Sequence, residues 1–250
     1  MNRTFLIILI AYIVMQLSGI AGIPMFYFIG SNISDGDTAK MLNLAAGYWI
    51  FFSFFTTTII TLLLVNKHDN LLTLEGNPAT SGKVVLWSFL GIFLAFFSQA
   101  MAGLIQTQFL GIDVESENTA SIIDLMSYVP IAAFAIAVLG PILEEIVFRG
   151  VIFGWLYRKY NFFISGMLSA LIFGVIHMDF THILMYTAMG FAFAFLYAHT
   201  KRIIVPIIAH ISINTFVVFT QFFFADQLQE MIERSEALFI LLRACIGGVL

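Results

Sequence analysis

Long apolar runs broken by short polar stretches recur along the whole chain. The first spans Thr4 to Ile29, with Pro24 near its far end, and the polar stretch Ser31 to Lys40 follows it. A second apolar run covers Leu42 to Val65. The polar connection Asn66 to Lys83, with Gly76, Pro78 and Gly82, separates it from a third run, Val84 to about Leu110. An acidic stretch with Asp113, Glu115, Glu117 and Asp124 precedes the fourth, from about Met126 to Tyr157, which Arg158 and Lys159 close. The fifth, sixth and seventh are Phe162 to Met178, Ile183 to about Ala198, and Ile203 to Phe224. A bilayer-spanning helix needs about 20 mostly apolar residues, so each run reads as a transmembrane helix. Pro130 and Pro141 predict kinks in the fourth, because proline removes a backbone donor and clashes with the preceding turn. The segment Ala225 to Glu236 reads as an amphipathic surface helix. The closing run, Ala237 to Leu250, is short for a span and contains Arg243.

The pattern therefore predicts an all-α, polytopic membrane protein of about eight transmembrane helices in one bundle. It shows no internal repeat and no second domain, so residues 1–250 form a single membrane domain. The first run is too long for the apolar region of a signal peptide and lacks a small-residue cleavage site, and it reads as a retained helix.

Composition agrees with this reading. Of 250 residues, 60% are hydrophobic and 10% charged, where soluble domains carry about 25% charged residues. The net charge of -4 gives no nucleic-acid signature. Cys245 is the single cysteine, which excludes an intramolecular disulfide and a cysteine-based metal site. Basic residues set the orientation. With both termini in the cytoplasm, Arg3, Lys67, Lys83, Arg158, Lys159, Lys201 and Arg202 lie inside and only Lys40 and Arg234 outside, as the positive-inside rule asks.

Against this background one stretch stands out, Gly140-Pro141-Ile142-Leu143-Glu144-Glu145-Ile146-Val147-Phe148-Arg149-Gly150. Ionisable groups inside the membrane are costly and usually face a bundle interior or a cavity. Glu145 and Arg149 are four residues apart and share a helical face, whereas Glu144 is turned about 100° away and need not share that partner. The same four-residue spacing recurs in Phe173 to His177 and in His210 to Asn214. Counting at 1.5 Å per residue, Glu144 and His177 lie roughly 21–23 Å, and His210 and Asn214 roughly 12–18 Å, from the basic end of their helices. All four fall inside the bilayer core and are able to converge on one polar chamber.

Such a set suits amide hydrolysis. A glutamate and a histidine hold and deprotonate water, while a second histidine and an asparagine donate hydrogen bonds to the oxyanion. Two histidines with a glutamate are also a catalytic zinc ligand set, although there is no HExxH and the ligands come from three helices. Taken singly, the Glu145–Arg149 pair reads equally well as structural, and each polar residue as a helix-bridging hydrogen bond. His182 and His199 sit near the ends of the sixth run and read as interfacial. His68 reads as a loop residue.

In order, EExxxR at Glu144, Glu145 and Arg149, FxxxH at Phe173 and His177, and HxxxN at His210 and Asn214 resemble the CPBP intramembrane proteases, the CAAX proteases and bacteriocin-processing enzymes also called Abi proteins. These are related to the type II CAAX prenyl endopeptidase. The motifs place the protease core in residues 126–224. The resemblance implies an intramembrane endopeptidase of the bacterial cell membrane, acting on a short peptide or on a membrane-anchored or lipid-modified protein. It assigns water activation to Glu144 and His177, the oxyanion hole to His210 and Asn214, and orientation of these groups to Glu145 and Arg149. No cofactor is required on this reading. The zinc alternative would use Glu144, His177 and His210. A non-enzymatic immunity, scaffolding or transport protein is the other class, but it would be expected to show repeat symmetry or the loss of a motif residue, and neither is present.

Overall fold

A computed structural model describes residues 3–32, 37–68, 71–112, 117–220, 222–224 and 227, and among these the chain forms helices and connections without strands. The closing run with Arg243 and Cys245, the segment 225–236 apart from Gln227, and the acids Asp113 and Glu115 lie outside the described residues.

The first three helices are α1 (Arg3–Ser31), α2 (Thr38–Lys67) and α3 (Ser81–Leu110). A shorter α4 (Glu117–Tyr128) leads to α5 (Pro130–Tyr157), α6 (Phe162–Ile176), α7 (Ile183–Thr200) and α8 (Ile204–Phe224). Among the described residues six helices are long and apolar enough to cross a membrane, and the 15-residue α6 is a shorter apolar helix. The expected fourth span is corrected at its start. Met126 to Tyr128 belong to α4, the chain breaks at Val129 (φ -135°, ψ 82°), and Pro130 opens α5. A residue before proline is driven out of the α region, and proline is tolerated in the first helical turn. His68, expected in a loop, instead caps the C-terminus of α2, with its ring on Leu64 O at 3.0 Å and Thr4 Oγ1 at 3.3 Å.

α5 is the centre of the molecule. Of its most apolar 18-residue window, 61% is buried, against 17–22% for α1, α2 and α3, whose outer faces show Leu, Ile and Phe as lipid-facing helices do. α1, α6 and α7 all pack on its second half, and α2 packs on its first half. α5 is not a regular α-helix. It widens to i→i−5 hydrogen bonding over Ala135–Leu139 and again over Glu145–Phe153, where Gly140 N–H reaches Ala135 O and Gly154 N–H reaches Arg149 O. Pro141 accounts for the first widening, since its ring excludes the carbonyl four residues back and it offers no N–H. Widened turns of this kind are rare and concentrate at functional sites.

Small residues bring α6 and α7 together. A Cβ on Gly190 would stand 3.1 Å from Ala170 and 3.2 Å from Phe173, and one on Gly174 would stand 2.8 Å from Thr187 Oγ1. Between membrane helices, such contacts replace the hydrophobic drive that lipid does not supply. The connection after α2 is not simply a polar loop. Leu71 and Leu74 are buried, a Cβ on Gly150 would stand 2.5 Å from Leu72, and Tyr197 Oη donates to Leu72 O at 2.6 Å. Ala79 N–H on Thr200 O and Arg202 Nε on Ala79 O fasten the far end of this connection.

Candidate active site

The widened half of α5 presents Glu144, Glu145 and Arg149 to α6, α7 and α8. Arg149 is fully buried. Its Nη1 lies 3.0 Å from Glu145 Oε1, and its Nη2 donates to Gly190 O at 3.1 Å. The guanidinium also lies over the rings of Phe173 (4.3 Å) and Phe193 (5.2 Å). A buried cation is stable only when paired and hydrogen-bonded. Here a carboxylate, a backbone carbonyl and two aromatic faces serve it at once. Access to Gly190 O depends on the close approach of α7, which a side chain at position 190 would prevent.

From Glu145 the contacts continue into α8. His210 Nδ1 lies 2.8 Å from Glu145 Oε1, and His210 Nε2 lies 3.6 Å from Glu144 Oε2. Arg149, Glu145, His210 and Glu144 thus form one chain of alternating charge and ring. The two glutamates, expected to diverge by about 100°, flank one imidazole. Both residues keep α-helical torsions (φ -63°, ψ -43° and φ -66°, ψ -39°), so the ring of His210 lies between two side chains that diverge as in a regular helix. His210 is 2% exposed and is sandwiched by the stacked Phe193 ring at 4.6 Å and the edge-on Phe173 ring at 5.8 Å.

His177 caps the C-terminus of α6, where the helix ends at Ile176 rather than Met178. Its Nδ1 lies 2.8 Å from Phe173 O. A carbonyl only accepts, so Nδ1 carries the proton of the neutral ring and Nε2 keeps its lone pair. Tyr186 of α7 stacks on the ring at 4.1 Å, and Phe173 contacts its edge. The Phe173 ring contacts both His177 and His210, and His210 in turn lies beside Glu144. Asn214 Nδ2 points to Ile136 O at 3.5 Å. Ile136 lies five residues before Pro141, whose ring nitrogen has no hydrogen for it.

Burial divides these residues. Glu145, Arg149 and His210 are enclosed, whereas Glu144, His177 and Asn214 are partly exposed. Among the described residues no group of three or more His, Cys, Asp or Glu side chains is arranged to hold a metal ion. The structure also adds neighbours that the sequence reading passed over. Tyr12 of α1 is buried against Phe148, takes a hydrogen bond from Gln16, and interacts electrostatically with Glu144. Its four-residue spacing from Gln16 inside an apolar run was the signal available. Ser169 donates to Phe148 O at 2.8 Å and so satisfies a carbonyl of the widened stretch. His182 is buried, and its Nδ1 lies 3.0 Å from Oδ1 of Asp179, three positions earlier in the turn. His199 is exposed beside Trp87.

Comparison with known proteins follows the same residues. The family model described as Type II CAAX prenyl endopeptidase Rce1-like matches residues 126–216. The chain is 44% identical over 221 residues to the "Putative membrane peptidase YdiL" of Bacillus subtilis (strain 168), covering 88% of this chain and 90% of that protein. It is 35% identical over 196 residues to the "Membrane-embedded CAAX protease MroQ" of Staphylococcus aureus (strain USA300), covering 76% and 79%. No solved structure matches.

Proposed function

The chain belongs to the Rce1-like family of type II CAAX prenyl endopeptidases and is a membrane-embedded peptidase, and from that premise we propose that Glu144 and His177 activate the water that cleaves the peptide bond. The observation that carries this assignment is the division of burial. Of the charged and imidazole groups in the cluster, Glu144 and His177 are the two that remain partly exposed. The Nε2 lone pair of His177 accepts a hydrogen bond from the water, and the Glu144 carboxylate takes the proton as the water oxygen bonds to the carbonyl carbon. The protonated Glu144 then passes that proton to the amide nitrogen as the C–N bond breaks. The products are a carboxylic acid and an amine, which leave as carboxylate and ammonium once the acid proton passes to the amine.

His210 and Asn214 stabilise the oxyanion in this scheme. Glu145 accepts from His210 Nδ1 and, with Arg149 behind it, fixes the ring so that Nε2 faces the Glu144 side of the site. A ring protonated at both nitrogens donates there. Asn214 has a second N–H beyond the one directed at Ile136 O, and it serves as the other donor. Preorganised donors of this kind act strongly where water is excluded. Glu145 and Arg149 touch neither water nor peptide and work through His210.

The substrate class proposed is a short peptide or a membrane-anchored or lipid-modified protein. Both termini are assigned to the cytoplasm on the distribution of basic residues, and no metal is required. The test uses purified protein and two internally quenched peptides, one farnesylated at a C-terminal CAAX cysteine and one an unmodified leader peptide. Glu144→Gln and His177→Ala should abolish turnover without lowering the melting temperature. Asn214→Ala should retain a rate about a hundred- to thousand-fold below wild type. Full turnover by Glu144→Gln would sink the mechanism.

A further inference from the structure

The segment between α6 and α7 carries a conformation that its own residues do not favour. Met178, directly after His177, has φ 55°, one of two non-glycine residues with positive φ among those described. That region is disfavoured for a residue with a Cβ. Met178 is 73% exposed, so packing of its own side chain does not hold it there. Strained residues of this kind persist only when their surroundings over-determine them.

The surroundings are specific. Asp179 Oδ1 accepts from His182 N–H at 3.2 Å, and both carboxylate oxygens lie within 3.1 Å of His182 Nδ1. His182 is buried and starts α7 as its N-cap residue. From the adjoining helix the buried Gln106 donates through Nε2 to Thr181 O at 2.6 Å. One end of this turn carries His177. The other leads within a helical turn to Tyr186, whose ring stacks on His177. The turn therefore sets both the backbone that aims the histidine and the aromatic surface against which it lies.

We propose that Asp179 and His182 are positioning residues for the water-activating histidine. Their pair, fastened to α3 through Gln106, holds the left-handed turn at Met178 and so keeps His177 with Nδ1 on the Phe173 carbonyl, one face on Tyr186 and Nε2 free. This rests on the assignment of His177 to water activation. Asp179 and His182 touch no reacting atom in it, and they act by keeping one arrangement of the His177 ring populated.

The test reads the ring directly. Protein labelled with nitrogen-15 in its histidine side chains gives imidazole signals, and the His177 signal is identified by its loss in His177→Gln. The wild type should show a single Nδ1–H tautomer for His177. Asp179→Ala should split or shift that signal and lower kcat on the order of ten-fold at unchanged KM, the population lost when a left-handed non-glycine residue is released. Asp179→Asn keeps an oxygen acceptor and should recover most of the signal. Glycine adopts positive φ without a Cβ penalty, so Met178→Gly placed in the Asp179→Ala background should restore the His177 signal and kcat. A role confined to stabilising the fold would lower the melting temperature and would not respond to Met178→Gly in the ring spectrum. Should Asp179→Ala not accumulate, Met178→Gly is added to it: a wild-type His177 signal in the recovered protein supports the proposal, and a shifted signal or no recovery overturns it. A wild-type His177 signal in folded Asp179→Ala also overturns it. Glu144→Gln run alongside separates the two levels. Its full activity would remove the catalytic assignment itself, whereas its inactivity beside an unaffected Asp179→Ala would remove the positioning role alone.

Discussion

Replacing Arg149 by methionine keeps the bulk of the side chain and deletes its charge. Glu145, fully buried and 3.0 Å from the guanidinium, is then left with His210 as its remaining polar contact. Removing one partner of a buried pair typically costs about 3–5 kcal/mol, because the other charge stays desolvated. Two smaller losses accompany it. The hydrogen bond to Gly190 O is worth about 1.5–3 kcal/mol when charged, and the position over Phe173 about 2 kcal/mol when desolvated. These terms share one group and do not add, so the expected destabilisation is about 4 kcal/mol. Glu145→Gln combined with Arg149→Met removes both charges while leaving a carbonyl oxygen for His210 Nδ1. Neutralised buried pairs are often close to wild type in stability, and the double variant should regain about 2–3 kcal/mol of the loss. Turnover should not return with it, because the Glu145 carboxylate against which the His210 ring is oriented is gone. Reversible unfolding in mixed detergent micelles, run as a double-mutant cycle, reads the coupling, and the peptide assay reads the chemistry. A single variant less than about 1 kcal/mol below wild type, or a double variant no better than the single, would refute the buried-pair account.

Chelator treatment followed by dialysis should leave turnover intact; stoichiometric zinc whose removal abolishes activity and whose return restores it would establish the metalloprotease alternative with Glu144, His177 and His210. Orientation is tested in a Cys245→Ser background, where Asp124→Cys should react with an impermeant thiol reagent in intact cells and Asn77→Cys, in the connection after α2, only after lysis. Labelling of position 77 in intact cells would reverse the assigned topology.

Local spacing made part of the site legible. Glu145 and Arg149 are close in sequence, and their pairing required only a helix between them. Phe173 and His177 likewise meet edge to face as a four-residue spacing allows, and most helix bounds followed from where apolar runs stop. The two widened stretches of α5 were not legible beyond the kink expected at Pro141. The contact of Glu145 with His210 was not legible either, because it joins residues 65 positions apart. The contacts of Arg149 with Gly190 and of Gln106 with Thr181 join residues 41 and 75 positions apart, and no periodicity encodes them. The burial of His182 was not legible for a related reason, because Asp179 folds over it only once the turn between α6 and α7 is formed.

The inward fold of the connection after α2 gives the catalytic chamber a direction. Leu72 fills the notch that Gly150 leaves on α5, Leu74 lies beside Gly154, and Tyr197 anchors the backbone between them. Toward the C-terminal end of α5, therefore, a stopper sits behind Arg149. Glu144, His177 and Asn214, the groups with remaining exposure, lie away from it. On the proposed assignment of Glu144 and His177, a scissile bond would reach them from the side on which they keep exposure, and not past the Leu72–Gly150 contact behind Arg149.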